Sequence, residues 1–232
     1  MKILAFDTSN KTLSVAILED DRLLADITIN IKKNHSVSLM PAIDFLMSSA
    51  DLEPKDLDRI VVAQGPGSYT GLRVAVATAK MLAYSLSIEL VGISSLYALA
   101  SSVSKQYPNS VVIPLIDARR HNVYVGYYLD DASVAPDQHA SFETVLEAAA
   151  AYDSVVFTGE VAAFIDDIQK ALPQAMIQET LPSAYDIGLA GIHEIAQNID
   201  AFVPNYLKRV EAEENWLKDH TPDQQSPYIK RV

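Results

Sequence analysis

Apolar and polar positions alternate in short blocks through the first half of the chain. Apolar runs at residues 3–6, 12–18 and 23–31 are separated by polar turns and predict three consecutive antiparallel strands. Apolar positions at helical spacing follow in residues 36–49, 70–87 and 96–105, with further strands predicted at 59–63 and 90–93. This order predicts an α/β fold in which helices cover the faces of a mixed sheet.

The second half of the chain begins on the same plan as the first. When residues 114–125 are laid on the chain start, Asp117 falls on Asp7 and Val125 on Val15 without a gap. Helices predicted at 141–152, 161–172 and 186–197 alternate with strands at 154–158 and 176–179. The sequence therefore predicts two duplicated halves, 1–106 and 107–232, the second ending in an acidic tail. A chance likeness between two strands that precede acidic turns remains the alternative.

A glycine-rich stretch joins the strand predicted at 59–63 to the helix that follows. Its glycines allow backbone conformations closed to other residues, and Ser68 or Thr70 can cap the helix. Such a turn can also hold an anion, although the spacing matches neither common nucleotide-binding loop. A connection without a ligand is the alternative. The residues assigned to the structural turn are Gly65, Pro66, Gly67, Thr70 and Gly71.

Composition narrows the classes of function. The chain has 232 residues, 49% of them hydrophobic, so it can bury a sizeable core. Cysteine is absent, which excludes disulfides, thiolate metal sites and a cysteine nucleophile. The formal net charge of −12 predicts that the molecule as a whole repels nucleic acid. An acid at Asp7 and the lack of a long apolar run predict a cytoplasmic protein without a membrane segment.

Two carboxylates are candidates for chemistry. Asp7 and Asp117 each end a predicted buried strand, where two halves could present them together to a metal-bound phosphate in a cleft. The alternative is that each carboxylate caps its own turn. The five histidines lack the spacing of metal pairs, and no serine lies in a G-x-S-x-G elbow. We therefore predict neither a bound catalytic metal nor a serine hydrolase.

The helices predicted at 36–49 and 70–87 each carry a second apolar stripe besides the one that a sheet would cover. A helix on a sheet needs a single apolar face, so the second stripes predict contact with another subunit. Burial by the chain's own second half is the alternative. The residues assigned to partner binding are Val37, Met40, Met47, Ala75, Thr78 and Leu82.

Several strings together resemble the TsaB family, also called YeaZ. They are Asp7-Thr8-Ser9, the stretch from Gly65 to Arg73 that reads G-P-G-S-Y-T-G-L-R, and Gly92-Ile93-Ser94-Ser95-Leu96, with weaker likeness at Ile116-Asp117-Ala118-Arg119, Val156-Phe157-Thr158-Gly159, Pro204-Asn205-Tyr206-Leu207 and Glu211-Ala212-Glu213. The resemblance implies an actin-like ATPase (ASKHA) fold of two ribonuclease-H-like halves. It also implies a role in making threonylcarbamoyladenosine in tRNA, beside the anticodon.

The resemblance further implies a subunit without its own catalysis. Where the catalytic relative TsaD carries a pair of histidines, this chain has Ser95 and Leu99, and Glu160 replaces a glycine of the relative's nucleotide loop. The implied remnant of a phosphate or nucleotide site is Asp7, Thr8, Asp117 and Gly159. The implied partners are a TsaD-like catalytic subunit and a TsaE-like ATPase, with a homodimer allowed when the chain is alone.

Cofactor use follows from the same comparison. The isolated chain is expected to bind no cofactor, while ATP or ADP is allowed at an interface shared with a partner. Two other classes of function remain open from the sequence. One is an actin-like ATPase or small-molecule kinase that uses Asp7 and Asp117, and the other is a metallopeptidase, for which we find no metal ligands.

Overall fold

A computed structural model describes residues 1–31 and 34–208. In this part of the chain two five-stranded mixed sheets are each covered by helices on both faces. The first half contains β1 (Lys2–Asp7), β2 (Leu13–Glu19), β3 (Arg22–Ile29), α1 (His35–Ser49), β4 (Arg59–Gly65), α2 (Tyr69–Leu86), β5 (Glu89–Ser94) and α3 (Tyr97–Gln106). The second contains β6 (Val111–Asp117), β7 (Asn122–Leu129), β8 (Ala132–Ser141), α4 (Phe142–Ala149), β9 (Val155–Gly159), α5 (Ile165–Ala171), β10 (Met176–Glu179) and α6 (Ala184–Gly191).

The two sheets have the same topology. The first has the order β3-β2-β1-β4-β5, and the second has the equivalent order β8-β7-β6-β9-β10. In each sheet the central strand pairs antiparallel with the strand that follows it and parallel with the fourth. The prediction of a duplicated plan is therefore confirmed. Asp7 and Asp117 end the two central strands, β1 and β6.

The last described helix of each half packs on the sheet of the other half. Helix α3 contacts β6, β7 and β9, where Leu96, Leu99 and Val103 are buried. Helix α6 contacts β1, β2 and β4, and it buries Ala184 and Ile187 against the first sheet. Helices α1 and α2 cover the opposite face of the first sheet, whereas the core around Phe142 and Phe157 holds the second sheet together with α4 and α5.

Several predicted boundaries were wrong. Helix α6 ends at Gly191 rather than at 197, since the buried guanidinium of Arg59 donates hydrogen bonds to the carbonyls of Gly191, Ile192 and Glu194. Tertiary contacts thus replace the next helical turn. Helix α5 begins at Ile165 rather than at 161, because residues 161–164 form a turn that buries Val161 and Phe164. The edge strand β8 was not predicted.

The predicted acidic tail lies beyond Lys208, outside the residues that the structure describes. The string Glu211-Ala212-Glu213 lies there too. Across residues 1–31 and 34–208, no helix combines the length and the apolar character that crossing a membrane requires.

Candidate functional site

A cavity of about 660 Å³ lies between the two halves. The turn after β1, the glycine-rich turn and the start of α2 line one side, and the turn after β6 lines the other. The charged and polar residues on its walls include Lys11, His35, Ser68, Asp117, Arg119 and Glu160. The duplicated fold therefore places a cleft at the carboxyl ends of the central strands, as the pairing of Asp7 with Asp117 predicted.

The glycine-rich turn packs directly on the turn after β1. The Ser68 N–H donates to the Ser9 carbonyl at 2.6 Å, and the Thr8 hydroxyl donates to the Gly71 carbonyl at 2.8 Å. A Cβ atom at Gly67 would overlap the Ser9 carbonyl oxygen, and one at Gly71 would overlap that of Thr8. These glycines are therefore required for close backbone approach, and the Ser68 amide is already used within the chain.

Ser68 is the residue that caps α2. Its side chain accepts a hydrogen bond from the Gly71 amide, whereas Thr70 is exposed in the first turn of the helix. Gly65 joins Pro66 through a cis peptide bond, and Gly65 has a φ of +123°. The sequence left Ser68 and Thr70 as equal candidates because both stand beside the apolar run.

Asp7 is sealed beneath the cleft rather than lining it. Its side chain is 0% exposed, Oδ1 accepts the Ser9 N–H at 2.6 Å, and Oδ2 has no hydrogen-bond partner among the described residues. Burial raises the pKa of Asp7 to about 6, and the hydrogen bonds from Ser9 oppose this only in part. The prediction that Asp7 and Asp117 stand together in an open cleft was wrong, because backbone contacts with the glycine-rich turn close over Asp7.

We expect Asp7→Asn to stabilise the fold at neutral pH. Because the pKa of Asp7 lies above its ordinary value of 3.8, the protonated carboxyl stabilises the folded state below that value. That stability is lost as the pH rises towards about 6. We therefore expect Asp7→Asn to unfold with a free energy about 2 kcal/mol higher at pH 7.5, since a neutral amide avoids the buried charge.

Urea unfolding at several pH values measures this effect. The variant is expected to lose less stability than the parent chain between pH 4 and pH 6, with the remaining slope due to Asp137 and Glu160, whose pKa values burial also raises. Asp44→Asn, at an exposed carboxylate on α1, is the matched control for the removal of one negative charge, and it is not expected to reproduce the gain in stability. Equal pH profiles for Asp7→Asn and the parent chain would show that Asp7 has an ordinary pKa.

The turn after β6 closes on itself in a similar way. Asp117 is exposed, its Oδ1 accepts the Arg119 N–H at 2.8 Å, and its own amide donates to Glu160 Oε2 at 3.0 Å. Arg119, Arg120 and His121 have positive φ values of 67°, 52° and 58°. Three successive non-glycine residues thus hold a backbone conformation that favours glycine. The Asp117 amide already donates its hydrogen bond to the Glu160 carboxylate.

Thr8 and Gly159, the other two residues of the predicted phosphate-site remnant, are buried. Thr8 is 0% exposed, and its hydroxyl is used by Gly71. Gly159 is buried with a φ of +80°, and its amide donates to the Thr180 hydroxyl at 3.2 Å. Of the four predicted remnant residues, Asp117 alone lines the cavity. Among residues 1–31 and 34–208, no group of three or more His, Asp or Glu side chains is arranged to hold a metal ion.

The predicted partner-binding residues divide by exposure. Val37 and Met40 are 66% and 42% exposed, and Thr78 and Leu82 are half-buried. Met47 and Ala75 belong to the chain's own core, so their assignment to an exposed stripe was wrong. They are buried because α1 and α2 contact each other as well as the sheet, which covers more of each helix than a sheet alone.

Sequence reasoning also missed exposed residues on these two helices. Phe45 on α1 and Met81 and Tyr84 on α2 are 61%, 52% and 72% exposed. We call Val37, Met40, Phe45, Met81 and Tyr84 the exposed helical face. The spacing of these residues was visible in the sequence. The sequence did not show which apolar stripe of each helix is covered by the contact between α1 and α2.

A segment near the end of the described chain was missed as well. Phe202 lies in the first-half core, and Lys80 donates hydrogen bonds to the carbonyls of Asp200 and Phe202 at 3.0 and 2.9 Å. The Asn205 amide donates to the Gln64 carbonyl at 2.8 Å. The Tyr206 and Tyr69 rings have centroids 5.1 Å apart. Residues 200–206 therefore fasten the chain end to the glycine-rich turn.

Comparisons with known proteins agree with this architecture. The family model described as TsaD, tRNA N6-adenosine threonylcarbamoyltransferase, matches residues 22–216. The solved structure of YeaZ from Pseudomonas aeruginosa is 26% identical with a TM-score of 0.76, covering 89% of this chain and 99% of that one. Component A of (R)-2-hydroxyglutaryl-CoA dehydratase from Acidaminococcus fermentans is 12% identical with a TM-score of 0.50, over 82% of this chain and 95% of that one. The fold is the actin-like ATPase fold.

A curated relative decides the family. The tRNA threonylcarbamoyladenosine biosynthesis protein TsaB of Bacillus subtilis (strain 168) is 38% identical over 236 residues. The match covers 94% of this chain and 99% of that protein. Since it spans nearly the whole of both sequences, the chain belongs to the TsaB family, also called YeaZ.

Proposed function

We propose that the chain is an accessory subunit in the biosynthesis of threonylcarbamoyladenosine in tRNA. It supports transfer of the threonylcarbamoyl group by pairing with a TsaD-like catalytic protein. The single observation that carries this proposal is the match to the TsaB protein of Bacillus subtilis across nearly both chains. The exposed helical face supplies a surface for pairing, since large apolar side chains on two adjacent helices remain uncovered.

The cleft supports a role without independent catalysis. A nucleotide-binding turn offers backbone N–H groups to phosphate oxygens. Here the Asp117 amide is held by the Glu160 carboxylate and the Ser68 amide by the Ser9 carbonyl. Glu160 also places negative charge on the cavity wall, where it would repel a phosphate.

The proposal also covers cofactor and partners. The isolated chain holds no cofactor, and ATP or ADP binds at an interface shared with the catalytic partner, in an assembly that includes a TsaE-like ATPase. When alone, the chain forms a homodimer through the same exposed helical face. The tRNA is held by other subunits, since the net charge of −12 opposes its approach to this chain.

A reconstituted transfer reaction tests the accessory role. We expect a TsaD-like protein with tRNA, ATP, an activated threonylcarbamoyl donor and a TsaE-like ATPase to form modified tRNA only when this chain is added. Equal product formation without the chain would overturn the proposal. The chain carrying Val134→Glu, a change at an exposed position on β8, is the control and restores the reaction as the parent chain does.

ATP turnover by the isolated chain separates this proposal from the ATPase or kinase alternative. We expect turnover well below the order of 1 per second that is typical of enzymes, because Glu160 and the packed turns close the phosphate-binding positions. A coupled assay of ADP release measures it. Turnover in the enzymatic range that Asp117→Asn abolishes would instead establish the ATPase or kinase function.

A further inference from the structure

A second cavity of about 580 Å³ shares no lining residue with the cleft between the halves. The end of β5 and the start of α3 form one wall, and β7 with β8 form another. Residues from and after α6 contribute Ala190, Glu194 and Asn205 to the rim. Because the cavity joins elements of both halves, it depends on the native arrangement of the whole chain.

The lining of this cavity is acidic and aromatic. Among the residues that the structure describes, it contains the carboxylates of Asp131, Asp137 and Glu194 together with the rings of Tyr97 and Tyr128, and no lysine, arginine or histidine. The two tyrosine rings meet edge to face, with centroids 5.9 Å apart. Carboxylates beside aromatic faces are the surroundings in which proteins bind organic cations.

Within residues 1–31 and 34–208, hydroxyl groups rather than a cation hold Asp137 in the cavity. Ser94 donates a hydrogen bond to its Oδ2, and the Tyr128 hydroxyl lies 3.4 Å from Oδ1. Gly126 makes room for this carboxylate, since a Cβ atom there would lie 2.8 Å from Asp137 Oδ1. Burial raises the pKa of Asp137, and the hydrogen bonds from Ser94 and Tyr128 oppose this rise.

Asp131 provides a second, independent sign of an incomplete site. The Tyr97 hydroxyl donates to its Oδ2 at 2.9 Å, while its Oδ1 is buried and has no hydrogen-bond partner in the described part of the chain. Lys105, a nearby cation, is paired with Asp186 at 2.8 Å and does not line the cavity. A buried acceptor without a partner costs free energy, so a bound donor would stabilise this arrangement.

We propose that this cavity is a binding site for a guanidinium group, supplied by an arginine side chain of a protein partner or by a free guanidinium compound. The planar guanidinium stacks on tyrosine faces and donates to two carboxylates at once, which an ammonium group does less well. Asp131 and Asp137 accept from the group, Tyr97 and Tyr128 contact its faces, and Glu194 attracts it at the rim. The proposal does not depend on the proposed accessory role.

Titration of the full chain with n-butylguanidine tests the proposal, with neutral n-butylurea of the same shape as the matched ligand. Chemical shifts of the Ser133 and Asn205 amides, both in the lining, report occupancy of this cavity. We expect n-butylguanidine to bind at least about tenfold more tightly than n-butylurea, because the urea carries no charge for the carboxylates. Equal affinity of the two ligands, or no binding at millimolar concentration, would overturn the site.

Substitutions of the cavity carboxylates test whether n-butylguanidine binds in this cavity. Asp131→Asn and Asp137→Asn are each expected to weaken n-butylguanidine binding about tenfold. Asp130→Asn is the matched control, since the neighbouring Asp130 accepts the Asn109 amide at 3.1 Å and lies outside the lining. Should Asp137→Asn fail to fold, Asp131→Asn decides alone. Unchanged binding in the folded cavity variants, or equal loss in Asp130→Asn, would overturn the assignment.

A pair of peptides distinguishes the two sources of the guanidinium group. We compare blocked Gly-Arg-Gly with the same peptide carrying citrulline, which keeps the shape and removes the charge. Binding of the arginine peptide as tightly as n-butylguanidine identifies a protein side chain as the ligand. Binding of n-butylguanidine with at least about tenfold weaker binding of the peptide identifies a free small molecule.

Discussion

Met81→Glu is expected to weaken pairing with a TsaD-like partner at least about 100-fold while leaving the fold intact. Met81 is 52% exposed on α2, so a glutamate there remains in water in the free chain. In a complex, its charge would be removed from water without a partner, at a cost of several kcal/mol. Met40→Glu on α1 is expected to act in the same way, since Met40 is 42% exposed on the same exposed helical face.

Calorimetric titration with the partner measures the loss, and thermal melting checks the fold. Val134→Glu is the matched control, because Val134 is 46% exposed on β8 of the other sheet. Unchanged affinity in both methionine variants would place the interface elsewhere. Ala75→Glu does not serve this test. Ala75 is fully buried in the first-half core, and a charge there would unfold the chain itself.

Gly71→Ala is expected to lower the free energy of unfolding by about 4 kcal/mol, a large part of the roughly 5–15 kcal/mol by which native proteins are stable. The added Cβ would overlap the backbone carbonyl oxygen of Thr8, which cannot move without displacing the end of β1. The hydrogen bond from the Thr8 hydroxyl to the Gly71 carbonyl would be lost as well. Urea unfolding measures the change.

Gly188→Ala is the matched control, since it makes the same substitution inside α6. Both variants gain similar helical propensity, about 1 kcal/mol, so their difference isolates the clash. At Gly188 the added atom meets a Leu18 methyl group at 2.7 Å, and a side chain yields more readily than backbone. Equal stability of Gly71→Ala and Gly188→Ala would contradict the close packing of the two turns.

Local sequence patterns predicted most of the strands and helices. Short apolar runs marked β1, β2, β4 and β5, since strands buried on both faces need little besides apolar residues. The strand β8 was not predicted because it is an edge strand with alternating exposed positions and includes Pro136. The end of α6 was predicted wrongly because the helix ends where Arg59, which lies far away along the chain, binds the backbone carbonyl of Ile192.

The arrangement of the candidate site was harder to predict from the sequence than the fold. The position of Asp117 at the cleft followed from the repeat, whereas the burial of Asp7 depends on two backbone segments meeting at distances that only glycine permits. The periodicity of α1 and α2 located their apolar residues but not the angle between the helices. In the structure Met47 is buried in the first-half core whereas Phe45 is 61% exposed.

The exchange of α3 and α6 between the halves has a consequence for synthesis on the ribosome. The first sheet is complete once β5 has emerged, yet the face that holds Ile3, Ala5 and Val91 is covered mainly by α6, which ends at Gly191. At roughly 5–20 residues per second, that face waits on the order of ten seconds for its cover. The nascent first half therefore exposes this apolar face until helix α6, which is synthesised well after β5, covers it.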